Sequence, residues 1–308
     1  MSLSALPDIL KELDHPLVRQ LAWSFGSPQF TTAGNDALNF PPVGHSMHEL
    51  LFEELHPILL ELDNDPSRLL EAVSPEMDRV LGIRFEALIT FAIQQLDSCS
   101  LIARNIQVVH EHVTLTEFDV FFEWNGSLHH WELAIKYYLG TADRTQPENW
   151  IGPRSKDRLS RKFETLNRQY ALTQEARVLE ILKESQIADF RSSCFVKGML
   201  FHKHTANGRI VPNGLNDQIE QGKWCHSNEM QHVLDRQLYW AVLPKAHWAG
   251  PIKAAPGSLD IVRKPEIVKQ YSGSQDPLML CGMQKEDGWF IERERWMVVS
   301  DSWPALTP

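Results

Sequence analysis

Residues 128–139 carry side chains suited to phosphate chemistry. A two-residue period puts His130, Glu132, Ala134, Lys136 and Tyr138 on one face of a strand, and Trp131, Leu133, Ile135 and Tyr137 on the other. An acid and a lysine on one strand face are the parts of metal-assisted hydrolysis. The acid binds a hard cation through oxygen, and the lysine orients a water or meets charge developing on a phosphorane. Asn125-Gly126 is the strongest short hairpin signal in the chain. If it is a two-residue turn, Trp124 faces Ser127, and counting back sets Asp119 opposite Glu132. Like charges directly across an antiparallel pair repel unless something sits between them, and one cation would serve. Glu86 lies among Ile83, Ile89 and Ile93, half-buried on a helix. A carboxylate there needs a partner, which the same metal could be. The competing account is structural: an ion-pair cluster on a half-exposed sheet, with Glu86 paired to Arg84 or Arg104.

These residues need elements to position them. Helical periodicity predicts helices over 7–25, 47–62 and 76–98, the last starting at a Ser74-Pro75 cap, with a loop over 26–42. The period then changes to two. Strands are expected over 103–113, 117–124 and 128–140, the middle one alternating Phe118, Val120, Phe122 and Trp124 with Glu117, Asp119, Phe121 and Glu123. After a loop, a basic amphipathic helix is expected over 156–170. Leu159, Phe163, Leu166 and Tyr170 lie on one side, and Arg158, Arg161, Lys162 and Arg168 lie toward the other. A second helical run to about 185 and a strand over 194–203 follow. Beyond 205 the pattern gives a short helix near 227–238 and strands near 277–283 and 288–300. The reading is therefore an acidic helical segment (1–75), an α/β core (76–203) and a mixed C-terminal extension (204–308).

The order of helix with Glu, strand, strand with Asp, strand with acid and lysine, helix, strand resembles the PD-(D/E)XK (restriction-endonuclease-like) nuclease core, a mixed sheet flanked by helices. That resemblance covers about residues 76–203. It implies metal-binding roles for Glu86, Asp119 and Glu132, with Mg²⁺ or Mn²⁺ as cofactor, a catalytic role for Lys136, and phosphodiester hydrolysis of DNA or RNA. The sequence departs from the pattern. Acid and lysine stand two residues apart in the superfamily, but Glu132 and Lys136 are four apart, Ala134 holds the intervening position, and Phe118 rather than Pro precedes Asp119. The elements RFE, HWELAIKYYLG, WIGP and DRL are also similar to a bacterial family described as a domain of unknown function. That similarity extends over most of the chain and brings no activity with it. The departures leave a second expectation: a nuclease-fold scaffold without chemistry, binding nucleic acid, a protein partner or a second copy of itself.

Composition bounds these readings. Of 308 residues, 43% are hydrophobic and 23% charged, which excludes wholesale disorder and fibrous repeats. The net charge of −10 argues against a generic polyanion binder. The charge is uneven, however: residues 1–80 hold 13 acids and 4 bases, whereas residues 133–170 hold 4 acids and 8 bases. In the basic island, Arg154, Lys156, Arg158, Arg161, Lys162 and Arg168, with Gln169, are candidate contacts to nucleic-acid phosphates. The alternative for such a run is a solvated face. The acidic N-terminal segment is expected to shield this island until a partner displaces it. Four scattered cysteines, no basic leader and no long apolar run point to a cytoplasmic protein off the membrane. His110/His112 and His202/His204 share strand faces at a spacing that can ligate zinc, but no third ligand follows at a matching interval.

Overall fold

Both periods appear in the computed structural model, which describes residues 6–32, 34, 38–76, 80–235, 239–258, 261–262, 267, 271 and 275–305. Pro16 divides the first expected helix, because proline has no N–H to give a continuous helix but suits a first turn. The result is α1 (Leu6–Glu12) and α2 (Pro16–Gly26). α3 (His45–Asn64) runs through Pro57, and a short α4 (Ser67–Val73) follows that periodicity did not indicate. Ser74–Glu76 is a 3₁₀ turn at the expected cap, and α5 (Leu81–Gln95) begins later than expected. Residues 77–79 of that helix, and 236–238 of the late one, lie outside the described residues.

The strands β1 (Cys99–His110), β2 (Val113–Trp124) and β3 (Ser127–Gly140) form an antiparallel meander. Trp124 faces Ser127 and Val120 faces Trp131, as the two-residue turn requires. Asn125 (φ 49°) and Gly126 (φ 72°) both take the left-handed conformation of such a turn. β4 (Trp150–Ile151), α6 (Leu159–Leu172), α7 (Ala176–Glu184) and β5 (Arg191–Lys203) follow. Then come β6 (Glu220–His226), α8 (Met230–Leu234), β7 (Tyr239–Leu243), β8 (Lys253–Ala254), β9 (Ile261–Val262), β10 (Leu278–Glu286) and β11 (Trp289–Val299).

All these strands join one mixed sheet in the order β1-β2-β3-β5-β6-β11-β10-β7-β9, with β4 on β3 and β8 on β11. The pairs β3/β5, β5/β6 and β6/β11 are parallel, with antiparallel strands to either side. Strands beyond residue 204 thus continue the sheet of the core. The protein is α/β, with helices on both faces. On one face the α1–α5 side chains pack against Val120, Phe122, Trp131, Leu133 and Ile135. On the other, Leu159, Phe163 and Leu166 of α6 pack with Phe30 and Phe40 against Ala134, Tyr138 and Val196. The acidic N-terminal helices therefore lie across the sheet from α6. This corrects the expectation that they shield the basic helix. Trp240 and Trp296 are fully buried, as core aromatics.

Two adjacent residues of β5 hold this arrangement together. Buried Lys197 donates from Nζ to the Phe25 carbonyl (3.0 Å) and to that of Ser27, tying the end of α2 to the sheet. Burial pushes its pKa well below the lysine range. Gly198 (φ 145°) faces Lys136 across the parallel ladder, and a Cβ there would sit 1.7 Å from the Lys136 carbonyl oxygen. β3 and β5 can approach this closely only without a side chain at 198. Gly198→Ala is expected to destabilise the fold by about 3 kcal/mol or more, measured by urea unfolding. An unchanged midpoint would contradict this packing.

Candidate functional site

The β2–β3 ladder ends at Val120 and Trp131, and β3 regains a neighbour on that side only where Leu139 meets Ile151 of β4. Between these points β3 has β5 on one side and, among the described residues, no strand on the other. A backbone donor left open there needs a partner. Asp119 supplies one: its Oδ2 accepts the Leu133 N–H at 2.7 Å. The aspartate thus sits in the fork where the two strands part.

Glu132 is the next residue of β3 and faces α6. Its side chain is buried, and Oε1 accepts a 2.6 Å hydrogen bond from Gln169 Nε2. Glu86 comes from α5, on the opposite face of the sheet, yet it feels the charges of Asp119 and Lys162. With no strand across the fork, groups on the two faces can sense one another. Burial raises all three acids. It pushes Glu132 up to about 8, assisted by the Asp119 charge. It pushes Asp119 up to about 6, against the pull of the Leu133 N–H and of Lys162. Glu86 rises to about 7, first by burial and then by the Asp119 charge.

The lysine beside these acids is Lys162 of α6. Burial lowers its pKa, while Glu132 and Asp119 hold it up. Among the described residues, no direct ion pair joins it to any carboxylate. Lys136, the strand lysine, instead forms a 2.7 Å ion pair with Asp157 in the loop after β4, and Tyr138 Oη donates to the same carboxylate at 3.3 Å. Arg84, a candidate partner for Glu86, is buried and donates to Gln20 Oε1 at 3.2 Å.

The remaining basic residues divide by their position on α6 and the loop before it. Arg161 and Arg168 are exposed, two turns apart on the solvent side. Arg158 is half-buried and donates to the Glu148 carbonyl at 3.2 Å. Arg154 pairs with Asp276 at 2.9 Å, and Lys156 is exposed. Lys162 and Gln169 are also seven residues apart, and they border the Leu159, Phe163, Leu166 stripe. That spacing is the sequence signal that separates them from the solvated arginines. Grouping Lys162 with the arginines by charge alone hid it. Asp157, in the loop after β4, holds Lys136, a pairing that strand period alone does not show. The histidines have other partners: His202 Nδ1 meets Arg144 at 2.6 Å, and His204 lies 3.3 Å from Glu229.

The donor set suits a hard divalent cation. Three carboxylates and one lysine share an electrostatic neighbourhood, and Asp119 Oδ1 and Glu132 Oε2 have no hydrogen-bond partner among the described residues. The cage is not closed as it stands: among the described residues, no three His, Cys, Asp or Glu side chains are grouped to enclose a metal. Among them too, no helix is long and apolar enough to cross a membrane. A family model described as a domain of unknown function (DUF1853) matches residues 19–299 of the chain. No curated protein and no solved structure matches it.

The raised acids set a pH dependence. They keep protons that the unfolded chain loses near its ordinary carboxylate value of about 4. Stability from this cluster is therefore present at low pH and declines as pH rises from about 4 towards 8. Glu132→Gln removes the largest share. Its Tm is expected to exceed that of the parent by about 2 °C or more at pH 8, with a much smaller gap at pH 5. Equal gaps in scanning calorimetry at both pH values would rule out the raised acid.

Proposed function

The chain belongs to that family, and we propose that it is a metal-dependent phosphodiesterase acting on nucleic acid, with a PD-(D/E)XK-like core and its site in the β2–β3 fork. The observation that carries this reading is the fork itself. Three carboxylates from two faces of the sheet share an electrostatic neighbourhood with a half-buried lysine, and among the described residues no ion pair neutralises them. Glu86, Asp119 and Glu132 would hold Mg²⁺ or Mn²⁺, with Glu86 turning toward the fork to complete the set. The bound ion would supply a nucleophilic water and offset charge on the phosphoryl oxygens.

The chain's own residues have separable tasks. Gln169 holds one oxygen of Glu132 and so directs the other into the fork. The Leu133 N–H orients Asp119 in the same way. Lys162 stands where a lysine can hold the attacking water or meet phosphorane charge, the role that the superfamily pattern gives to Lys136. Its delivery from a helix would account for the absence of a lysine two residues after Glu132.

A second reading has its own support. The open cage suits a scaffold that retains the fold and binds nucleic acid without cutting it. The two readings separate on labelled single- and double-stranded DNA and RNA incubated with Mg²⁺ or Mn²⁺. Cleavage is expected in the parent, with a loss of about 100-fold or more in Asp119→Ala and in Lys162→Met. A parent indistinguishable from Asp119→Ala on every substrate would leave the scaffold reading in place.

A further inference from the structure

The open edge of β3 continues past the carboxylates into a cavity of about 290 Å³. Four cations line it: Lys136, Arg154, Lys156 and Lys245. Asp157 is the one carboxylate in the lining, and Asp276 balances Arg154 from outside it. In a chain of net charge −10, four cations around one small cavity stand out as an anion site. Lys245 feels the crowding. Burial and then the Arg154 charge lower its pKa.

The strand edge adds donors. Leu133 turns its N–H to the open side. By the two-residue period, Ile135 and Tyr137 turn theirs the same way. Both residues line the cavity, and among the described residues no strand covers them there. Pro153, Pro277 and Ile135 give it apolar walls. Cations, edge amides and apolar walls together suit a ligand with an anionic group attached to a flat, weakly polar body. The volume of about 290 Å³ falls just below the range for one bound small molecule, about 300–1,000 Å³.

We infer that this cavity seats one nucleotide of an extended single-stranded nucleic acid, with its phosphate on Lys136, Lys156 and Lys245 and its sugar and base against Pro153 and Pro277. The strand runs on along the open edge of β3 to the carboxylates, about 13 Å away by strand rise. As a nucleotide of the substrate it rests on the phosphodiesterase reading. As a binding site it does not. A duplex cannot place a paired nucleotide in a cavity of this size without losing its partner, so single strands are preferred.

Fluorescence anisotropy with labelled oligothymidylate and oligouridylate, and with a matched duplex, tests this in EDTA, where no cleavage intervenes. The single strands are expected to bind at least about tenfold more tightly than the duplex. Lys156→Glu plus Lys245→Glu, both on exposed side chains, is expected to weaken single-strand binding at least about tenfold. It should also flatten the log–log salt slope by about 0.7, the share of the one phosphate seated there. Lys183→Glu plus Lys285→Glu, matched in charge and remote from the cavity, is the control and should change affinity far less. No single-strand binding in the parent, equal duplex binding, or equal losses in both double variants would each overturn the proposal. Binding lost in the first variant only, with no cleavage by the parent in any metal, would uphold this site and remove the phosphodiesterase reading. Cleavage that persists with unchanged binding in the first variant would do the reverse.

Discussion

A strand that loses its neighbour halfway must find other partners for its backbone, and β3 does so at Trp131. Asp119 caps the Leu133 N–H, which places a carboxylate inside the fork rather than on a strand face. The rest of the site follows from that gap. Glu132 on the α6 side and Glu86 on the α5 side sense a common field because no ladder separates them there. The gap is half-buried, so each added negative charge is costly, and the acids hold their protons to higher pH than free carboxylates. A fully paired sheet would have kept these groups on opposite faces, each with its own counter-ion.

The charge distribution follows the same opening. The acidic helices cover one face of the sheet, and the basic residues of 154–168 lie on the other face and along the open edge. Within α6 the polar residues differ by their angle around the helix. Arg161 and Arg168 reach solvent, while Lys162 and Gln169 flank the apolar stripe, Gln169 bonding Glu132 and Lys162 lying within the field of the acids. Charge alone does not distinguish them; helical phase does. Lys136 illustrates the converse. It shares a face with Glu132, yet 13 Å of strand and the proximity of Asp157 direct it to a different partner.

Much of the fold was legible locally. Asn125-Gly126 set the register of the β2–β3 hairpin, because few residues accept positive φ at both turn positions. The alternation in 117–124 and the stripe Leu159, Phe163, Leu166 identified β2 and α6 from side-chain period alone. β6 and β7 escaped notice. Glu220–His226 has no clean alternation, and it is a strand because β5 and β11 flank it. Pro16 breaks the helix between α1 and α2 although the apolar period runs on through it, so the period alone does not mark that boundary.

The sequence by itself determined most of the elements up to residue 203, the hairpin register and the residue types at hand: Glu86, Asp119, Glu132 and a cluster of lysines and arginines. These depend on interactions a few residues apart, which composition and spacing record. Only the tertiary structure decided which lysine stands beside the acids, that α5 and α6 reach one site from opposite faces, and that the edge of β3 stays open from Glu132 to Tyr138. Those outcomes turn on where β2 leaves β3 and on which loops close around the gap. Both are set by packing between segments up to some hundred residues apart, such as Lys245 beside Lys136.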